Sequence, residues 1–168
     1  TVNPIPVASI AGDNAICEGE FTVLTASGGS SYTWSTGATG ATLMVNPITT
    51  TTYSVIAKSA SGCESAAANV TVTVTPKPVA TITGVTEVCK GEAVTLTANG
   101  GTSYVWSTGE TTQSISPVIN ATTLFTVTVK NASGCETTVT HSVTANPLPV
   151  ASISGDLDIC VGESTTFR

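Results

Sequence analysis

The sequence predicts an all-β chain of tandem sandwich units. Three observations carry that prediction: a segmental repeat with a period near 72 residues, apolar residues alternating with threonine at period two, and almost no helical periodicity. Pro4-Ile5-Pro6-Val7-Ala8-Ser9-Ile10 recurs as Pro76-Lys77-Pro78-Val79-Ala80-Thr81-Ile82 and as Pro147-Leu148-Pro149-Val150-Ala151-Ser152-Ile153. Cys17, Cys89 and Cys160 keep the same spacing, as do Tyr32 with Tyr104, Trp34 with Trp106, and Cys63 with Cys135. The expected organisation is one unit over residues 1–75, a second over 76–146, and the N-terminal part of a truncated third over 147–168. A period of this length is that of a small domain that folds by itself, and the paired prolines at each junction fix φ and make the connections short and stiff.

Strands follow from the alternation. Val70, Val72 and Val74 interleave with Thr71, Thr73 and Thr75, and Phe125, Val127 and Val129 with Thr126 and Thr128. Each run has one apolar face for a core and one hydroxyl face for water, the pattern of a half-buried antiparallel sheet. Turn chemistry at Ser27-Gly28-Gly29, Thr36-Gly37 and Ala60-Ser61-Gly62 separates the runs into six or seven strands per unit. One-sided strands in about 72 residues are buried by packing two sheets face to face, so the expected architecture is an immunoglobulin-like sandwich. Trp34 and Trp106, with Tyr32 and Tyr104 on the same strands, are the expected core anchors. A sugar-stacking platform is the competing reading of these aromatics.

Composition excludes several functions. Only 10% of residues are charged, against an average of about 25%, while 33 Thr and 18 Ser put a hydroxyl on nearly a third of the chain. With a formal net charge of −6 there is no basic patch for phosphates, which sets nucleic acid aside. No apolar run reaches the roughly 18 to 20 residues of a bilayer span, so membrane insertion is not expected, and the opening Thr1-Val2-Asn3-Pro4 reads as that of a mature or excised segment.

The five cysteines are expected to form one disulfide per unit. Cys17 with Cys63 and Cys89 with Cys135 are equally spaced, and Cys160 lacks only the partner that a complete third unit would bring. A zinc reading is weaker, since there is no C-x-x-C and a single histidine. Disulfides place the chain in an oxidising compartment. If the strands between Cys17 and Cys63 simply alternate in direction, both cysteines lie at one pole and the bridge clamps that pole.

Chemistry is sparse. His141 stands where the first unit has Val70, which reads as a strand histidine and not as a catalytic base. Glu20 with Glu64, and Glu92 with Glu136, flank the cysteines and are weak calcium candidates if the poles coincide, aided by Asp13, Asp156 and Asp158. No other metal or cofactor is implied. The Lys58 and Lys130 positions raise an isopeptide crosslink, made redundant by the disulfides. Asn69-Val70-Thr71, Asn120-Ala121-Thr122 and Asn131-Ala132-Ser133 fit the N-glycosylation pattern.

From Cys17-Glu18-Gly19-Glu20 through Tyr32-Thr33-Trp34-Ser35-Thr36-Gly37 and Thr52-Tyr53-Ser54-Val55 to Ser61-Gly62-Cys63, the chain resembles the Ig-like, PKD-like repeats of large secreted cell-surface proteins of Bacteroidota, adhesins and gliding proteins among them. The second unit matches at Cys89-Lys90-Gly91-Glu92, Tyr104-Val105-Trp106-Ser107-Thr108-Gly109 and Ser133-Gly134-Cys135. The resemblance implies a non-catalytic segment on the bacterial cell surface. The expected function is therefore a stalk, rod or extracellular filament of an adhesin, with further repeats of the same chain as partners and self-association into fibres. The alternative is a carbohydrate-binding or spacer module of a secreted polysaccharide-degrading enzyme, with a surface polysaccharide as partner.

Overall fold

The fold was analysed in a computed structural model, which describes residues 2–154, 160–162, 164 and 166. Among these there is no helix, and all sixteen strands lie before Pro147. The expectations for Asp156, Asp158 and part of the third unit fall on residues outside the described ones.

Seven strands surround the first core: β1 (Ser9–Ala11), β2 (Ala15–Cys17), β3 (Thr22–Ser27), β4 (Ser31–Trp34), β5 (Thr42–Val45), β6 (Thr51–Lys58) and β7 (Ala68–Thr75). They form two sheets, ordered β1-β3-β5 and β2-β7-β6-β4. Nine strands surround the second core: β8 (Thr81–Thr83), β9 (Glu87–Cys89), β10 (Glu92–Ala93), β11 (Leu96–Asn99), β12 (Ser103–Trp106), β13 (Ser114–Ile115), β14 (Val118–Ile119), β15 (Thr123–Lys130) and β16 (Glu136–Asn146). They give sheets β13-β11-β8 and β12-β15-β16-β9, with β10 paired to β14. Each unit is an immunoglobulin-like β-sandwich. In both, the first edge of the four-stranded sheet is a short strand running parallel to the last strand, Cys17 opposite Thr75 and Cys89 opposite Asn146.

The alternation explains the two cores. In β6 the buried positions are Tyr53, Val55 and Ala57, and in β15 they are Phe125, Val127 and Val129, every second residue. Leu24, Trp34, Val55 and Val72 join one cluster, and Leu96, Trp106, Ile119, Val127 and Val143 the other. Full burial of each such aliphatic side chain contributes about 1.5–3 kcal/mol. The threonines between them face outward, where Thr52 and Thr71 hydrogen-bond across strands at 2.8 Å and Thr128 and Thr138 at 3.1 Å.

Strand direction decides where the cysteines go. Between Cys17 and Cys63 the chain makes five passes. After β4 it turns at Gly37 and runs back along the same strand: the Trp34 N–H donates to the Ala38 carbonyl at 2.9 Å, and Thr33 bridges Thr39 antiparallel. That return, residues 38–41, reverses the chain once more before β5. An odd number of passes leaves Cys17 at one pole and Cys63 at the other.

Glycines fix the close approach of the first segment to the strand end. At Gly100 (φ +101°) a β-carbon would collide with the Val79 carbonyl oxygen, and Gly28 (φ +97°) meets Val7 in the same way. Gly91 has a similar φ of +93° with open space around it. Gly91→Ala is expected to cost about 1 kcal/mol from backbone strain alone, and Gly100→Ala roughly 2–3 kcal/mol or more because the carbonyl must also move. Denaturant midpoints of the two variants check this; equal midpoints would remove the clash.

Candidate functional site

The candidate site is the joint between the two units, and a disulfide is its centre. Cys17 is bonded to Cys135, 118 residues away, with 5.6 Å between the Cα atoms. The expected pairings, Cys17 with Cys63 and Cys89 with Cys135, are therefore corrected. The extra pass through residues 38–41 sends Cys63 to the far pole, while the next unit brings its own equivalent, Cys135, down onto Cys17.

Each half of the joint is built locally. On the first unit, pairing of β2 to β7 holds Cys17 beside Thr75, and Gly19 (φ +82°) turns the chain sharply after it. The Cys17 N–H donates to the Glu20 carboxylate at 3.0 Å and the Glu20 N–H returns to the Cys17 carbonyl at 2.9 Å, closing the turn. On the second unit, the connection from β15 to β16 is organised by Asn131. Its side-chain oxygen accepts from the Ser133 and Cys135 N–H groups, both at 3.0 Å, and its amide donates to the Pro76 carbonyl at 3.0 Å. One side chain thus shapes the loop and ties it to the segment joining the units. Cys135 is 1% exposed, with its sulfur 3.8 Å from the Thr75 carbonyl oxygen. A glycan on Asn131 would remove the bond to Pro76.

The other expected residues are placed as follows. Trp34 and Trp106 are each 2% exposed, and their indole N–H groups donate to the Gly40 and Thr112 carbonyls at 2.9 Å. Tyr32 and Tyr104 are half-buried, and their hydroxyls donate to the Gly29 and Gly101 carbonyls at 2.8 and 2.9 Å. No tryptophan face is free to stack on a sugar. Glu20 and Glu64 do not converge, for the reason that separates Cys17 from Cys63: Glu20 caps its own turn, and Glu64 pairs with Lys58 at 3.2 Å at the opposite pole. In the second unit Glu92 accepts from the Cys89 N–H at 3.2 Å, and Glu136 pairs with Lys130 at 2.9 Å. Each of the four calcium candidates thus has a local partner, and among the described residues no group of three metal-ligating side chains comes together. Both ion pairs are about half exposed and contribute at most about 1 kcal/mol. His141 stands opposite Phe125 as Val70 stands opposite Tyr53, with its Nε2 3.1 Å from the Val85 carbonyl oxygen.

Sequence reasoning read Asn131 only as a glycosylation acceptor and missed the joint. The available signal was the Asn-Ala-Ser-Gly-Cys string, whose first residue has the chemistry to organise a turn around a cysteine.

No family model and no curated protein matches the chain. Among solved structures, it is similar to three N-terminal domains of the highly immunogenic outer capsid protein of bacteriophage RB49 at 20% identity and a TM-score of 0.44, over 92% of this chain and 62% of that one. A calcium-stabilised adhesin with which an Antarctic bacterium binds ice matches at 16% and 0.47, over 86% of this chain and 50% of that one. Fibronectin(III)-like modules of Clostridium thermocellum CbhA match at 14% and 0.42, over 84% and 95%. The chain thus spans about three fifths and one half of the phage and Antarctic chains. At such identities the likeness concerns strand arrangement, and what those proteins bind stays with them.

Proposed function

We propose that this chain is a non-catalytic structural segment, a run of joined sandwiches that forms a stalk, rod or extracellular filament of a bacterial cell-surface adhesin. The observation that carries the reading is the position of the disulfide. A bond between Cys17 and Cys135 fixes one unit against the next and leaves each core to its own packing. Residues 1–75 and 76–146 are then successive units, with a third opening at Pro147. A disulfide of this kind belongs to an oxidising compartment, which supports an extracellular place. The bacterial surface rests on the resemblance of the Cys17–Glu20 and Tyr32–Gly37 motifs and their repeats.

A carbohydrate-binding module needs exposed aromatic faces. Among the described aromatics only Phe21, at 66% exposure, is open, so the sugar reading has little to work with. At about 3.3 Å per residue, the eight-residue strands β6, β7 and β15 run about 26 Å, and with turns and the connecting segment each unit adds roughly 30–40 Å. Electron microscopy of the native protein, on or shed from its source cells, is expected to display threads with that axial repeat. A globular head on a short tail would overturn the filament and leave these units as spacers.

A further inference from the structure

The bonded joint consists of a strand-end half, Cys17 with its Glu20-capped turn, and a loop half, Cys135 with its Asn131-centred connection. Every unit carries both halves at opposite poles. Two units therefore carry four halves, and the observed bond uses two. The other two, the loop half at Cys63 and the strand-end half at Cys89, carry free thiols.

These free halves are already formed. Cys89 N–H donates to Glu92 at 3.2 Å as Cys17 N–H does to Glu20 at 3.0 Å, and Lys90 N–H meets the Asn146 carbonyl at 2.8 Å as Glu18 N–H meets Thr75 at 2.9 Å. Cys63 N–H donates to the Ser59 hydroxyl at 3.1 Å, the role Asn131 takes for Cys135 at 3.0 Å. Gly62 and Gly134 share φ values of +88° and +86°.

What differs is cover. At the bonded joint Cys135 and Pro78 are buried, whereas Cys63 and Pro6 are half-buried. At the same pole as Cys63, Ile5, Pro6, Val7, Ala8, Ala66 and Ala67 line an open apolar concavity of about 330 Å³. Cys89 is exposed where Cys17 is half-covered. Both free poles have the shape and chemistry of the joint without its second half.

We propose that Cys63 and Cys89 are attachment points for the neighbouring units of the same polypeptide, so that the first cysteine of each unit is bonded to the second cysteine of the next in a staggered disulfide ladder. Cys89 takes the loop cysteine of the unit that opens at Pro147, and Cys63 takes the strand-end cysteine of a unit preceding Pro4, whose Cys-x-Gly-Glu turn seats on the apolar concavity. Each bond forms as two thiols give up two electrons and two protons to a disulfide-type oxidant, which is itself reduced to two thiols. The inference rests on the reading of the chain as serial units.

Peptide mapping without reduction tests it on the full-length protein from its source, alkylated before unfolding. A glutamyl endopeptidase, cutting after Glu18, Glu64, Glu87, Glu92, Glu110 and Glu136 among others, places the five cysteines on five separate peptides. The expected products are the peptide ending at Glu18 linked to residues 111–136, residues 88–92 linked to a Ser-Gly-Cys-type peptide from outside residues 1–168, and the peptide ending at Glu64 linked to a Cys-x-Gly-Glu peptide. In a Cys89→Ser variant the partner loop cysteine becomes alkylated while the Cys17–Cys135 link persists. Alkylated Cys63 and Cys89 in the wild-type protein overturn the ladder, as does a Cys89–Cys63 link between two copies, which puts the joint between molecules. Threads in the micrographs with both thiols alkylated remove the ladder alone; a globular head with all links present removes the filament alone.

Discussion

Replacing Cys17 and Cys135 together by serine is expected to split one denaturant transition into two and to weaken either unit by about 4 kcal/mol while its neighbour stays folded. With one unit folded, the bond closes a loop of about 60 residues in the other, half of the 118 between the cysteines, and on the chain-entropy model that is worth about 4 kcal/mol. With both unfolded it closes one loop of 118 residues, worth only about 5 kcal/mol. The second unit to unfold thus loses much less protection than the first, so the bond couples the units by roughly 3 kcal/mol. The oxidised protein should unfold in one step in guanidinium, and reduction should reproduce the double-serine behaviour. A single unchanged midpoint in the variant would mean that the bridge does not join the units.

Trp106→Ala is expected to cost the second unit about 3–5 kcal/mol. The ring is fully enclosed among Leu96, Ile119, Val127 and their neighbours, and its N–H holds the Thr112 carbonyl at 2.9 Å. Truncation leaves a cavity and an unpaired acceptor. The variant keeps Trp34 as its only tryptophan, and its emission, excited beyond the tyrosine absorption band, reports on the first unit alone. In the oxidised variant Trp34 emission should shift in the same lowered transition that circular dichroism records for the whole chain. After reduction it should stay native to a higher denaturant concentration. A loss under about 1 kcal/mol would remove Trp106 from the core.

Much of this fold was legible because its causes are local. Val-Thr alternation sets which face of β7 and β15 is buried, and the spacing of repeated prolines, tryptophans and glycines exposes the two units. The cysteine partners were not legible, because pairing depends on the parity of strand passes. One short return without an apolar pattern, Ala38-Thr39-Gly40-Ala41, changed that parity. The same return separated Glu20 from Glu64. The two-residue strands β10, β13 and β14 likewise escape the sequence, since they are too short for any periodicity.

The Cys17–Cys135 bond also determines what happens under tension. A pull on the two ends enters at Cys17 and leaves through sulfur to Cys135, so the backbone between them carries none of it. At roughly 3.4 Å per extended residue, about 400 Å of chain is held out of reach of the force. Stretched by whatever it holds, the segment lengthens only by the residues outside that loop. Only a reductant, not a stronger pull short of breaking covalent bonds, releases the rest.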